Sequence, residues 1–362
     1  MKNWITISLL FAATQSLAEE PWQWLDDASA PNEISILLMG DTNLQGRDDP
    51  PGAYRHVRNT LLAADIRFAN LEVALAGHSK DSLIDDIPHK RWIHSEPDQV
   101  SALTSVNMSG VGVANNVNYP WQAVMRSLAV LDAAHKPLII ERKRTKVGFL
   151  QYAATVFPFN HAATEERPGI AEIKIYTAYQ PPPNLDKPGQ PPIVLTWSDE
   201  ASLARMQKDI SMLAEKVDVV IVSYHWGVSN TLEPVSYQSE VGRAAIDAGA
   251  DLVFGHGPHK YQKIEIHKNR PIFHSLGQFV FDDHLRLGNH REGLLARIVV
   301  HDGELAAVSL VPSWLDDNND VRLENPQNGK GRELFGYLSA VNGADGAELA
   351  IRGNEIILEG TL

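Results

Sequence analysis

Five apolar, β-branched stretches of this chain each run straight into side chains that can hold a metal ion. ISILLMGDTNL delivers Asp41 and Asn43, IRFANLE delivers Asn70 and Glu72, VNMSGVGVANN delivers Asn115 and Asn116, VDVVIVSYHWG delivers His225, and DLVFGHGPH delivers His256 and His259. In an open α/β sheet, ligands gather outside the carboxyl ends of the strands, so five such ends in one sheet would aim their polar residues at one crevice. Carboxylates, amide oxygens and neutral imidazoles suit hard to borderline divalent ions: magnesium, manganese, iron or zinc. With no cysteine in the chain, thiolate sites and disulfides are excluded. Each residue alone also has a structural alternative: Asp41 as an Asx turn, His225 as a core imidazole beside Trp226. Recurrence at five strand ends favours a shared site. Donor atoms from these five ends should then gather around a common point.

The elements that must position these residues alternate along the chain. Strand one ends at Gly40-Asp41, a helix is expected near Tyr54 to Ala64, and strand two ends at Glu72. Ser95-Glu96-Pro97 reads as a helix start with Ser95 as N-cap and Pro97 in the first turn. Strand three runs into Asn115-Asn116, a helix covers Trp121 to Ala134, and residues 146–155 form another strand. Such alternation predicts a mainly parallel sheet with helical crossovers. Residues 180–194 hold six prolines and read as an exposed extended loop, with a domain boundary as the alternative. Beyond it, the strand delivering His225, a helix from Ser236 to Ala248 and the strand delivering His256 form one right-handed unit. Turns at Lys268-Asn269 and Asp302-Gly303 close later hairpins, which points to a mixed sheet or two packed sheets.

The ends and the composition bound the setting. Lys2, the apolar run ISLLFAATQ and the small residues Ser16-Leu17-Ala18 read as a signal peptide cleaved after Ala18, and hence as an exported protein. No later stretch approaches the ~20 apolar residues of a membrane span. A net charge of −13 leaves nucleic acid and anionic membrane surfaces with nothing to neutralise, so neither is an expected partner. The histidines His56, His78, His89, His94, His135, His161, His267, His274, His284, His290 and His301 lack the strand-end context and carry no site expectation.

In order, the motifs GDTNLQGR, ADIRFANLE, VGVANN, HWG, AAIDAGADLVFGHGPHKYQKIEI and PIFHSLGQFVFD resemble the CapA-type capsule and poly-γ-glutamate synthesis proteins. These are relatives of the calcineurin-like metallophosphoesterases. The resemblance covers roughly residues 34 to 315, with 19–33 as a spacer before that domain and 316–362 as a C-terminal extension packed on it. It implies an α/β fold, a metallophosphatase-like αββα sandwich of mixed β-sheets flanked by helices, with two divalent ions at one edge. By resemblance Asp41, Asn43, Glu72, Asn116, His225, His256 and His259 form the ligand set. Glu72 takes the metal-bridging place, and at least one of His256 and His259 is free to sit behind the ligands. Arg47, Asn70, Asn115 and Gln278 are assigned to substrate contact, Arg47 because its fork matches an anionic group.

Two departures bear on activity. Where the family often has a histidine after Asn-Asn, this chain has Val117, and the aspartate place three positions later holds Pro120. In phosphoesterases that histidine protonates the leaving group, an effect of roughly 10²- to 10⁴-fold. The expected function is an exported metal-dependent hydrolase acting in surface-polymer synthesis or remodelling, on an anionic polymer or a small molecule, alongside other envelope polymer-synthesis components. The alternative is a catalytically lapsed component that binds or guides an anionic polymer.

Overall fold

The computed structural model describes residues 20–26, 28, 30–77, 94–131, 138–156, 161–164, 166–182, 189–282 and 290–359. Residues 1–18, expected to be a signal peptide, lie outside these residues, as do His78, His89, His135 and His284.

The first half contains β1 (Glu33–Asn43), α1 (Arg58–Ala63), β2 (Ile66–Leu71), α2 (Val100–Ser105), β3 (Gly110–Gly112), α3 (Trp121–Leu131), β4 (Leu138–Arg142) and β5 (Thr145–Ala153). Next come β6 (Ile175–Gln180), β7 (Ile193–Ser198), α4 (Glu200–Ala214), β8 (Val219–His225), α5 (Ser236–Asp247) and β9 (Leu252–His256). Short strands β10 (Ile264–His267), β11 (Arg270–Phe273) and β12 (Gln278–Phe281) precede the long hairpin β13 (Glu292–His301) and β14 (Glu304–Leu315). The chain closes with β15 (Val321–Leu323), α6 (Gly329–Asn342), β16 (Glu348–Arg352) and β17 (Glu355–Glu359).

Two large sheets stack face to face. The first runs β16-β17-β14-β13-β1-β2-β3, with β12 also on β1 and β15 on β14; the second runs β10-β11-β9-β8-β5-β4. Parallel pairs β1–β2, β2–β3, β1–β12, β5–β8, β8–β9 and β9–β11 coexist with antiparallel neighbours, so both sheets are mixed. Side-chain alternation explains the layering. Ile34, Ile36 and Leu38 of β1 face inward with Phe68 to meet Val147, Phe149, Ile221 and Phe254 of the other sheet. Phe68 and Phe149 stack at 4.6 Å across the gap. The opposite face of β1, Leu37 and Met39, packs on Leu61 of α1 and Leu103 of α2. Likewise Val220 and Val222 of β8 pack on Met206 and Ile210 of α4 and on Val241 and Ala245 of α5. Burial on both faces is why these strands read as continuous apolar runs. The result is an αββα sandwich.

Several local expectations need correction. The five site-bearing strand ends belong to two sheets, not one: β1, β2 and β3 to the first, β8 and β9 to the second. Ser95 does not cap a helix. Glu96 occupies that place without a side-chain cap, a 3₁₀ turn at Pro97–Gln99 precedes α2, and the Ser95 N–H instead donates to the Ala74 carbonyl. The helix expected from Tyr54 starts later, because Pro50–Tyr54 forms a 3₁₀ turn and α1 spans six residues. Residues 181–192 join β6 to β7, which pair antiparallel from Ile175↔Ser198 to Gln180↔Ile193. Both hairpin turns carry the left-handed angles they demand: φ 49° and 60° at Lys268 and Asn269, φ 49° and 83° at Asp302 and Gly303. β17 pairs with β14, and Leu338 of α6 joins the inter-sheet core. No helix among the described residues is long and apolar enough to cross a membrane.

Candidate metal centre

The site lies at the seam where the carboxyl ends of β1 and β2 meet those of β8 and β9. β1 loses register on either side of Asp41, and its N–H donates to the Gly277 carbonyl. Gly40 permits that approach, since a Cβ there would sit 2.1 Å from the Gly277 oxygen. Glu72 follows β2 directly; its N–H donates to Thr42 O at 2.8 Å, and the Asn43 side-chain amide donates to Glu72 O at 2.9 Å. On the second sheet, pairing of β8 with β9 sets His225 beside His256. After His256 the chain curls back: Gly257 has φ +107°, and His259 itself takes φ +59°. That left-handed conformation is uncommon for a histidine and marks a constrained turn. Gly257 is required there, because a Cβ would lie 2.8 Å from the Trp226 carbonyl and 3.2 Å from the His225 ring. Trp226 clamps the bend, stacking on Tyr224 at 4.6 Å while its indole N–H donates to His274 O.

This backbone gathers two donor groups, Asp41–His225–His256 and Asp41–Glu72–His259, with the donor atoms of each group within 4.8 Å of one another. All five residues are buried. His259 Nδ1 lies 3.0 Å from Asp41 Oδ2, and His259 Nε2 lies 3.7 Å from Glu72 Oε1. His256 Nδ1 is 3.6 Å from Asp41 Oδ1 and 3.1 Å from His225 Nδ1. The Gly257 N–H donates to Asp41 Oδ2 at 3.1 Å. Asp41 belongs to both groups.

Burial dominates the protonation of this cluster. It pushes His225 well below the ordinary imidazole range, helped by the neighbouring His256, and brings His256 down to about 4. Burial also raises Asp41, but the charges of His259, His256 and His225 beside it outweigh that and hold the carboxyl well below its usual value. Glu72 goes the other way, raised well above its usual value by burial and by the negative Asp41 beside it. Neutral imidazoles and an ionised aspartate are the states a divalent ion needs, and positive charge beside Glu72 would favour its ionised form.

Orphaned atoms provide the fit test. Glu72 Oε2, Asn43 Oδ1 and Asn116 Oδ1 are buried without hydrogen-bond partners, and His259 Nδ1 is not aligned as a hydrogen bond to the nearby Asp41. Buried polar atoms are nearly always satisfied, so orphaned oxygens and an imidazole nitrogen on residues at these strand ends match a cation-binding donor set. A further group, His56, Asp316 and Asp320, differs. Its carboxylates are already taken by Arg47, Arg55 and Arg322 at 2.6–2.9 Å.

The residues expected at the substrate are placed differently from the ligands. The Asn70 amide donates to Asp41 Oδ1 at 2.9 Å and accepts from Asn115 and Gln151. Asn115 also donates to Leu71 O and accepts from the backbone of Val117 and Asn118. Both amides are therefore spent inside the protein. Arg47 is wrapped by Asp282 at 2.7 Å and Asp320 at 2.9 Å, and it also donates to Asn319 O, so its fork is occupied. Gln278 pairs with Asp41 in the β1–β12 register, and its buried amide has no hydrogen-bond partner.

Other contributors escaped notice in the sequence. Ser223 Oγ and Gln151 Nε2 reach His256 Nε2 at 2.8 and 3.1 Å. His161 Nε2 donates to Asn115 O at 3.0 Å, edge-on to the Tyr119 ring. Gln151 and Ser223 were legible in principle, as lone polar residues inside apolar strands; His161 lies in a loop with no such signal. His274, in contrast, faces Glu265 at 3.2 Å, away from the cluster.

Comparison with known proteins shows the family. Residues 35–283 match the family described as Bacterial capsule synthesis protein PGA_cap. The PGA biosynthesis protein CapA of Bacillus subtilis (strain 168) is 24% identical over 271 residues, covering 71% of this chain and 64% of that protein. The capsule biosynthesis protein CapA of Bacillus anthracis is 31% identical over 118 residues, 33% of this chain and 28% of that protein. A Mycobacterium tuberculosis protein named "Probable polyglutamine synthesis accessory protein" is 26% identical over 278 residues, 69% of this chain and 66% of that protein. The alignments thus span less than two thirds of the length of each of these three relatives.

Proposed function

Because the chain belongs to the bacterial capsule synthesis protein family PGA_cap, we propose that it is an exported, metal-dependent hydrolase that acts on a surface polymer or one of its precursors. The observation that carries this reading is the buried set Asp41, Glu72, His225, His256 and His259, with unpartnered oxygens on Glu72, Asn43 and Asn116. A divalent ion bound by such residues supplies an acidified water and a polarised substrate oxygen. Asp41 would be shared between two ions, with His225 and His256 on one side and Glu72 and His259 on the other. Asn43 and Asn116 would add neutral oxygen donors. Asn70, Asn115 and the Gly257 N–H keep Asp41 in place, and burial keeps both His225 and His256 unprotonated. The scissile bond is a phosphoester by superfamily analogy or a polymer amide by family association.

One observation favours a second reading. Val117, half-buried in the loop carrying Asn116, offers no proton where the family histidine would. A metal-loaded protein that holds an anionic polymer without cutting it is the consequence. Metal analysis of purified protein, combined with a hydrolase screen in added manganese and zinc, separates the two. Bound metal with turnover is expected. Bound metal without turnover moves the function to polymer binding, and no metal under any condition refutes both.

A further inference from the structure

We propose that the bare face of the β6–β7 hairpin is a self-association surface, against which a second copy of this chain packs its own hairpin about a two-fold axis. The inference goes beyond the metal centre and uses none of its residues.

The hairpin's register sorts its side chains. Opposite residues of an antiparallel pair share a face, so Tyr176–Trp197, Ala178–Leu195 and Gln180–Ile193 lie on one side and Ile175–Ser198, Thr177–Thr196 and Tyr179–Val194 on the other. The second side is docked on α5: Thr196 Oγ1 and Ser236 Oγ are 2.8 Å apart, and Ser198 Oγ donates to Glu240 Oε1 at 2.6 Å. From Ser198 to Thr196 these contacts step from Glu240 back to Ser236, the first residue of α5, so Val194 and Tyr179 stand past the helix end. The first side is open to solvent. Six of the ten exposed large apolar residues among the described residues belong to this one hairpin: Tyr176, Tyr179, Ile193, Val194, Leu195 and Trp197. Single apolar residues scattered over a surface are ordinary, whereas a contiguous group marks a contact.

Charge, area and shape select the occupant. Neither β6 nor β7 carries a charged side chain. At their base Lys174 Nζ lies 5.0 Å over the Tyr176 ring and the Tyr176 hydroxyl donates to Asp199 at 3.0 Å, one cation and one anion. An anionic polymer or lipid surface calls for a basic face. On a chain of net charge −13, an uncharged face is instead where two copies can meet without repulsion. At exposures of 38–71%, and with about 200 Å² for a bare aromatic side chain, the six residues leave roughly 500 Å² of apolar surface in water. One side of a standard interface buries about 800 Å², a little over half of it apolar, so the hairpin supplies that share. The outward face is also uneven: Tyr176 and Trp197, with ring centroids 5.9 Å apart, stand tall at the base, and Ala178 leaves a low centre beside Leu195. A two-fold axis through the Ala178–Leu195 pair turns the aromatic end of one copy onto the Ile193 end of the other, as a self-complementary contact requires.

Sedimentation velocity over a concentration series tests the contact. The parent should pass from monomer to dimer at tens of micromolar, and Trp197→Ser should weaken dimerisation at least about 30-fold, as loss of a central aromatic anchor does. Leu195→Asp sets two carboxylates against each other across the axis and should stay monomeric. Both side chains are exposed, so the melting temperature of either monomeric variant should lie within a few degrees of the parent monomer. The chain has no cysteine, which makes a single Leu195→Cys a second readout. A short bis-maleimide should link two copies of it, since sheets packed face to face lie about 10 Å apart, whereas the exposed Met212→Cys on α4 should stay unlinked. A parent still monomeric at high micromolar concentration overturns the proposal, as does a dimer that survives Leu195→Asp or equal cross-linking of the two cysteine variants. A monomeric parent that binds phosphatidylcholine vesicles, with binding lost in Leu195→Asp, overturns it in favour of a membrane contact.

Discussion

Glu72→Gln separates the cost of an empty cation site from the gain of a filled one. Glu72 is buried beside the ionised Asp41, and both effects raise its pKa. A carboxyl whose folded-state pKa is raised contributes stability that is fully present below the unfolded value of about 4.3 and is lost as pH rises through the folded value. Each unit of elevation removes about 1.4 kcal/mol at higher pH. A chain of 362 residues has an unfolding entropy near 0.8 kcal/mol per degree by the usual per-residue value, so each unit lowers the melting temperature by about 2 °C. Glutamine is the neutral isostere and does not titrate. In chelator, Glu72→Gln should therefore melt above the parent at pH 7, with the gap closing as pH falls toward 4. Adding manganese or zinc at a hundredfold excess over its dissociation constant should narrow that gap. The parent gains about 2.7 kcal/mol, or about 4 °C, while the variant lacks one anionic ligand and gains less. Scanning calorimetry from pH 4 to 8, with chelator and with cation, measures all four arms. A metal-free Glu72→Gln protein that melts below the parent at pH 7, with an unchanged response to cation, would refute the coupling of Asp41, Glu72 and a bound ion.

Other expectations follow from individual residues. His225→Ala should abolish most of the chelator-dependent drop in melting temperature, read by the same calorimetry, because His225 belongs to the donor group completed by Asp41 and His256. Gly257→Ala should destabilise the protein by at least about 2 kcal/mol and weaken cation binding in calorimetric titration, since φ +107° strains alanine and its Cβ meets the Trp226 carbonyl and the His225 ring. Val117→His should raise turnover of activated phosphoesters in a variant that still binds metal; no gain counts against a lapsed phosphoesterase. Protein recovered from its native host should begin at or near Glu19 and lie outside the cytoplasm, and terminal sequencing that finds Met1 overturns export.

Much of this site is local information and so was legible in the chain. A strand that ends in Gly-Asp, Asn-Leu-Glu or Tyr-His-Trp-Gly declares its polar terminus, because apolar β-branched runs need burial and the donors that follow them do not belong in a core. Hairpin turns at Lys268-Asn269 and Asp302-Gly303 were legible for the same reason: positive φ angles restrict residue choice whatever surrounds them. Strand composition says nothing about which strands become neighbours, and here the structure departed from the simplest expectation. The chain divides its donors between two sheets and joins them at a seam, a choice made by inter-sheet packing such as Phe68 on Phe149. The same long-range geometry decided the roles. Asn70, Asn115 and Arg47 look like substrate contacts in one dimension; in three, Asp41, Leu71, Asp282 and Asp320 already occupy them. Gln151, an ordinary polar residue in an apolar strand, reaches Asn70 and His256 only because Gly112, 39 positions earlier in the chain, leaves room for it. Residue types determined what chemistry was possible, while the protonation of Asp41, Glu72 and His256 and the partner of each donor depended on burial and distance, which exist only once the two sheets have closed.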